Sequence, residues 1–115
     1  MFEFQQLEVY KKSKAFHADI QTFIKSNSFH KSLCDQLFRA SLSIPLNIAE
    51  GSGRFSKPDR RNFFIIARSS IFETIAILDI LKDSMQLTTD QFINFKKNGE
   101  KLSKILFAMI RNLEK

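Results

Sequence analysis

The residues best suited to binding chemistry are basic, and four of them lie close together in the middle of the chain. They follow a Gly-Ser-Gly turn and surround one aromatic residue, Phe55: Arg54, Lys57, Arg60 and Arg61. Guanidinium and ammonium groups bind phosphates, and an aromatic ring stacks on a nucleobase. The cluster is therefore a candidate nucleic-acid-binding site. Basic residues are also common near helix ends without any ligand, and that alternative stays open.

The basic character extends beyond this cluster. The 115 residues carry a net charge of +6, and residues 51–115 contribute most of it, with twelve basic and seven acidic side chains. Such a balance favours a polyanionic partner, RNA or DNA, or an acidic protein surface, although it also serves solubility. A second basic series recurs at helical spacing: Lys97, Lys101, Lys104 and Arg111. A solvated helix face is the simpler interpretation of that series.

Residue combinations typical of catalysis or metal binding are missing from the sequence. The one cysteine, Cys34, supports neither an internal disulfide nor a thiolate zinc site, and no spacing pairs it with His17 or His30. Neither histidine follows a glutamate by three residues, as a carboxylate-bridged metal site would require. Asp79 and Asp83 lie one helical turn apart, which is typical of a solvated face. We expect no catalytic residue, no metal and no cofactor, and predict a non-enzymatic protein.

Two glycines, Gly51 and Gly53, precede the basic cluster. They lack the third glycine, the preceding strand and the Gly-Lys-Ser/Thr ending of the nucleotide-binding fingerprints. We therefore interpret them as a helix C-cap followed by a tight turn.

Charged and amide side chains interrupt the most apolar stretches of the sequence. Asn47 and Glu50 lie one turn apart, and Arg68 and Glu73 lie within a run of large apolar residues. Because a buried charge is costly unless it is paired, we expect a network such as Glu50 with Arg68, or Arg39 with Glu73, within or between subunits. A role in fixing helix register is favoured over a ligand site.

Hydrophobic periodicity predicts four helices. Breaks near residues 26–28, 51–53 and 85–88 separate segments at about 7–25, 32–52, 56–84 and from 88 onward. Ser56 is the predicted N-cap of the third helix, and Thr88 with Gln91 forms a capping box at the start of the fourth. Pro45 predicts a kink or a local break in the second helix. We predict an all-α, antiparallel up-down-up-down four-helix bundle in one domain, residues 1–115.

The second and third helices carry more apolar surface than one bundle can bury. Two apolar series coexist on the third helix, one through Phe64 and Ile71 and the other through Ile66 and Ile80. Since large exposed apolar patches are rare in monomers, we expect a homo-oligomer. Gly99 lies on the apolar seam of the fourth helix and predicts a close approach to a neighbouring backbone.

The N-terminal residues lack the basic and apolar regions of a signal peptide, and no run of about 18 apolar residues could span a bilayer. A single cysteine fits a reducing compartment. We expect a cytoplasmic protein without a membrane partner.

Three segments resemble the bacterial family named after the ribosomal-RNA intervening-sequence protein. They are QLFRASLSIPLNIAEGSGR at residues 36–54, FFIIARSSIFE at 63–73 and LEVY at 7–10. Ser69 stands where the family pattern has glycine, which predicts a looser helix contact there. The resemblance implies a four-helix protomer and a closed homopentamer with a central channel, and it implies no reaction. A related retroelement accessory protein is a basic pentamer that binds a reverse transcriptase and nucleic acid.

Two functions remain open at this point. The first is a non-enzymatic, oligomeric bundle that binds RNA or DNA through Arg54, Lys57, Arg60 and Arg61, repeated around a ring so that weak contacts add up. The alternative is a protein-interaction scaffold or accessory subunit that binds no nucleic acid.

Overall fold

A computed structural model describes residues 2–27 and 30–114. A short 3-10 helix, Glu3–Gln6, precedes four α-helices: α1 Glu8–Ser26, α2 Lys31–Ser52, α3 Lys57–Asp83 and α4 Thr89–Asn112. The described residues contain no strand. All four predicted helices are confirmed, with ends within two residues of the expected ones, although Ser28 of the first predicted break lies outside the described residues.

The helices form a four-helix bundle. Each helix packs on its neighbours in sequence, and α4 returns to pack on α1. The short connections after α2 and α3 make successive helices antiparallel. Phe95 of α4 closes the bundle, because its ring makes edge-to-face contacts with Phe16 and Phe23 of α1.

Local capping explains where α3 and α4 begin. The hydroxyl of Ser56 accepts a hydrogen bond from the backbone N–H of Asp59 at 3.2 Å. Thr88 and Gln91 form the predicted capping box, in which each side chain accepts from the other residue's backbone N–H, at 3.1 and 2.9 Å. These bonds satisfy backbone donors that have no partner inside the helix.

α2 runs without interruption through Pro45, so the predicted local break is wrong. Proline removes one backbone bond, but the buried Ile44 and Ile48 on either side hold both halves of the helix in the same core. The bend at Pro45 stays a prediction.

The glycines differ from expectation at two positions. Gly51 lies in the last turn of α2 and is not its C-cap, and a Cβ there would lie 2.7 Å from the ring of the buried Phe64. Gly53 is the C-cap residue. At Gly99 the close neighbour is the side chain of Ile75, 2.9 Å from a Cβ position, and not a backbone.

A single chain does leave apolar surface exposed. On α3 the series through Phe64 and Ile71 is buried, whereas Ile66 and Ile80 are 39% and 55% exposed. Other large apolar side chains are exposed along α2, α3 and α4: Leu46 on α2, Ile65 and Phe72 on α3, and Phe107 on α4. No other part of residues 2–27 and 30–114 covers the exposed area of these side chains.

Candidate functional site

The turn between α2 and α3 displays Phe55 at one end of the bundle. Its side chain is fully exposed, at 102% of the reference area. The turn holds this position because α2 ends at Ser52 and Ser56 caps α3 immediately afterwards. An aromatic ring that contacts so little of its own chain is available to stack on a ligand.

Arg54 and Arg60 are brought together at this turn. The Nε of Arg60 donates to the backbone carbonyl of Arg54 at 2.6 Å. The guanidinium of Arg54 forms an ion pair with Glu50 at 3.0 Å and lies 4.5 Å from the ring centre of Phe63. These contacts hold both arginines close to Phe55. Lys57, the first residue of α3, is exposed beside them.

Arg61, the fourth predicted member of the cluster, faces away from the turn. Its Nη2 lies 2.8 Å from a carboxylate oxygen of Glu114, just beyond the end of α4. Its Nε is buried and has no hydrogen-bond acceptor among the described residues. The structure therefore divides the predicted cluster between two adjoining surfaces, with Arg61 on the α3–α4 side.

The predicted pairs Glu50 with Arg68 and Arg39 with Glu73 do not form within the described part of one chain. Glu50 pairs with Arg54 instead, because one turn of the same helix places them side by side. Arg39, Glu50 and Glu73 are all exposed in the single chain, so a network that buries them would have to form between subunits. Pairing between subunits stays a prediction.

Asn47 takes part in a network of small polar side chains that sequence reasoning missed. Its Nδ2 donates to the carbonyl and the hydroxyl of Ser43, at 2.8 and 2.9 Å. Ser43 in turn accepts at 2.8 Å from the hydroxyl of Ser70 on α3. The available signal was a serine on the apolar face of each of the two neighbouring helices.

Arg68 lies in a second surface, the α3–α4 groove, which we define by Arg61, Ile65, Arg68, Phe72, Phe107 and Ile110. The guanidinium lies 4.9 Å from the ring centre of Phe72 and 5.5 Å from that of Phe107. Its Nε is buried and lacks an acceptor in the described part of the chain. Ser69, at the position where glycine was expected, is exposed at the edge of this groove.

Both histidines make hydrogen bonds within the helical bundle. His17 is buried, and its Nδ1 lies 2.7 Å from the hydroxyl of Ser41 on α2. Burial away from water lowers the pKa of His17 below its ordinary value. The Nδ1 of His30 accepts from the backbone N–H of Ser32 at 3.2 Å and caps α2.

The described residues contain no group of three or more His, Cys, Asp or Glu side chains that could hold a metal ion. Within the same residues, no helix is both long and apolar enough to cross a membrane.

The sequence pattern of the 23S rRNA-intervening sequence protein family matches residues 5–108. The chain belongs to this family. The match includes the α2–α3 turn and all of the α3–α4 groove except Ile110, and it confirms the resemblance carried by residues 7–10, 36–54 and 63–73.

The crystal structure of a similar protein shows the same fold. It is a protein of unknown function from the S23 ribosomal protein family of Bacteroides thetaiotaomicron VPI-5482, with a crystal structure at 1.70 Å resolution. The two chains are 26% identical, the TM-score is 0.83, and the match covers 89% of this chain and 97% of that one. No curated protein matches this chain.

Proposed function

We propose that this family member is a non-enzymatic, cytoplasmic homo-oligomer that binds RNA through Arg54, Lys57 and Arg60 at the α2–α3 turn, and that Arg61, which lines the α3–α4 groove, belongs to the subunit contact instead. The observation that carries the proposal is the fully exposed Phe55 beside the linked Arg54 and Arg60. Arginines bind phosphate oxygens in a forked geometry, while an exposed ring stacks on bases whatever their sequence. The family's name, which refers to an intervening sequence of 23S rRNA, fits an RNA ligand.

The charge distribution supports a polyanionic ligand. The chain carries +6, and the half that contains α3 and α4 holds most of the excess. A basic surface raises the local concentration of nucleic acid and speeds its encounter with the protein.

The exposed apolar side chains support an oligomer. The α3–α4 groove exposes Phe72 and Phe107 around Arg68, whose Nε lacks an acceptor within the described chain. We define a third surface, the α2–α3 face, by six residues: Arg39, Leu46, Glu50, Ile66, Glu73 and Ile80. These residues recur at steps of four and seven along the two helices, all exposed.

The α2–α3 face and the α3–α4 groove are complementary, and they lie on adjacent flanks of α3, about 100° apart around its axis. The α2–α3 face combines exposed aliphatic side chains with the carboxylates of Glu50 and Glu73, and the α3–α4 groove combines exposed rings with Arg68. A contact between two different surfaces is heterologous, and it closes into a ring when the rotation allows. We propose such a ring, with the five copies that the family resemblance implies and with Arg68 of one subunit paired with Glu50 of the next.

The RNA-binding proposal is tested by titrating labelled RNA with the intact protein at rising salt. We expect binding at about 50 mM salt that weakens as salt rises, because each contacted phosphate of a single strand contributes a slope of about −0.7 on a log-log plot. Replacing Lys57 and Arg60 together, Lys57→Glu with Arg60→Glu, should weaken binding at least tenfold, since two phosphate contacts at the α2–α3 turn become repulsive.

The matched control is Lys97→Glu with Lys101→Glu on the exposed side of α4, which changes the net charge by the same amount. Equal losses in both double variants would show that only total charge matters and would contradict a site at the α2–α3 turn. No binding by the unaltered protein at about 50 mM salt would contradict the proposal and leave the scaffold alternative.

A further inference from the structure

A cavity of about 540 Å³ opens beside the α2–α3 turn. Its walls come from the 3-10 helix, the end of α2, the turn and the start of α3, and its main lining residues are Phe2, Phe4, Glu50, Arg54, Phe55 and Asp59. The volume lies within the range of about 300–1,000 Å³ typical of small-molecule sites. It is large enough to hold one nucleobase.

Aromatic rings form two of the cavity walls. Phe55 is fully exposed, and Phe2 is 73% exposed. The ring of Phe2 stacks on Phe4 at a centroid distance of 5.8 Å, and Phe4 is itself held edge-on by Tyr10 at 4.8 Å. The Phe2 wall is thus supported from behind, while its outer surface stays in contact with water. Two exposed rings bordering one cavity suit a flat, apolar ligand surface.

The charges around the cavity set the orientation of such a ligand. Glu50, Arg54 and Asp59 line it, and the first two are paired with each other at 3.0 Å. The carboxylate of Asp59 repels phosphate but accepts hydrogen bonds from the N–H edges of bases. Arg60 instead lines the adjoining cavity, together with Leu7 and Met109. A base therefore fits inside the cavity, and its phosphates fit outside, near the basic side chains.

We infer that this cavity binds one unpaired base of a single-stranded RNA, stacked on Phe55; the inference rests on the proposed RNA-binding function and specifies its ligand. Bases within a duplex are already stacked, and their edges are already paired. They cannot enter the cavity without being extruded from the helix. The protein should therefore bind single strands more tightly than duplexes, because only a single strand gains the free energy of stacking on Phe55. The phosphate contacts are the same for both.

The chain contains no tryptophan, so Phe55→Trp introduces a single reporter at the proposed stacking position. The probe is a labelled single-stranded RNA of about 12 nucleotides, compared with the same strand in a duplex. Binding is followed by the anisotropy of the RNA label, and stacking is followed by the fluorescence of the introduced indole. We expect the indole fluorescence to be quenched as the single strand binds and to change little with the duplex.

Met85→Trp is the matched control. Met85 is 89% exposed in the turn at the opposite end of α3, about 40 Å away at 1.5 Å per residue over 27 residues. Its indole should not respond to either RNA. Phe55→Ala should weaken single-strand binding by about 5- to 150-fold, the range that corresponds to one stacked base, and should leave duplex binding nearly unchanged.

The possible results separate the inference from the proposed function. RNA that binds by anisotropy without quenching the indole at position 55 overturns the stacked base and leaves RNA binding intact. Failure of the unaltered protein to bind either RNA overturns both. A lower oligomer mass for Phe55→Ala in light scattering would assign Phe55 to a contact between copies and would also overturn the inference.

Discussion

The Nδ1 of His17 lies 2.7 Å from the hydroxyl oxygen of Ser41, and this bond joins α1 to α2 inside the bundle. The hydroxyl of Ser41 also lies 3.1 Å from the carbonyl of Phe38, and the tautomer of His17 sets whether the imidazole or the hydroxyl is the donor in the pair. The ring of Phe38 lies edge-on to the imidazole at 5.0 Å. A neutral histidine is thereby held in a largely dry site.

We expect stability to fall in mild acid because of this histidine. Burial lowers the pKa of His17 in the folded state below the ordinary 6.5, so the unfolded chain binds a proton more readily. The free energy of unfolding contributed by the neutral form is therefore complete above pH 6.5 and is lost as the pH falls toward the folded-state pKa. Urea unfolding across this range should show the loss in the unaltered protein and a smaller loss in His17→Asn. Parallel pH profiles for the two proteins would contradict the assignment.

Gly51→Ala should destabilise the bundle although alanine is the better helix former. The new Cβ would lie 2.7 Å from the Phe64 ring and 3.0 Å from the Cβ of Phe63, and overpacking of this kind costs about 1–3 kcal/mol. The propensity gain of about 1 kcal/mol offsets only part of it. Gly53→Ala is the control, since its Cβ would lie 3.6 Å from the nearest atom. Thermal melts should show a lower midpoint for the first variant alone.

Gly99→Ala should be tolerated better than Gly51→Ala. Its nearest neighbour, 2.9 Å from the new Cβ, is the terminal methyl of the half-buried Ile75, which can move by rotating its side chain. The helix-propensity gain of about 1 kcal/mol should then cancel most of the cost. A destabilisation as large as that of Gly51→Ala would show that Ile75 cannot yield.

Thr88→Ala should cost about 1 kcal/mol by removing the acceptor for the backbone N–H of Gln91. Thr89→Ala, one position later, removes the same atoms from an exposed site that carries no cap and should change the free energy of unfolding far less. Chemical denaturation of both variants measures the difference. Equal effects would indicate that the capping bond contributes nothing to stability.

Phe72→Glu should reduce the mass of the oligomer in solution. The change places a carboxylate on the exposed ring position next to Arg68, inside the surface proposed to contact the next subunit. Ile93→Glu is the control, because Ile93 has nearly the same exposed fraction, 55% against 58%, and lies on α4 outside the α3–α4 groove. Light scattering at micromolar concentration compares them. A monomeric mass for the unaltered protein would refute the ring outright.

Much of the fold could be predicted because its signals are local. The hydroxyls of Ser56 and Thr88 cap helices through bonds that span three residues. The apolar series through Phe64 and Ile71 on α3 is buried as its spacing predicts. At Pro45 the local rule fails, because the buried side chains on both sides stabilise the helix more than one missing bond weakens it.

The candidate site was predicted only in part. Arg54, Phe55 and Arg60 meet at one turn, as their closeness in sequence suggests. The pairing of Arg61 with Glu114 joins residues 53 positions apart, and the placement of Arg68 between Phe72 and Phe107 joins α3 to α4. No spacing rule in the sequence indicates such contacts.

The sequence alone determined the number of helices, their ends and the family, because caps and hydrophobic periodicity act within a few residues of each other. Only the tertiary structure decided which charges are paired, which histidine is buried and which apolar side chains stay exposed. These properties depend on which faces of α1 to α4 meet. A long polar side chain pairs with groups that helix packing brings close to it, and these groups can be far away in the sequence.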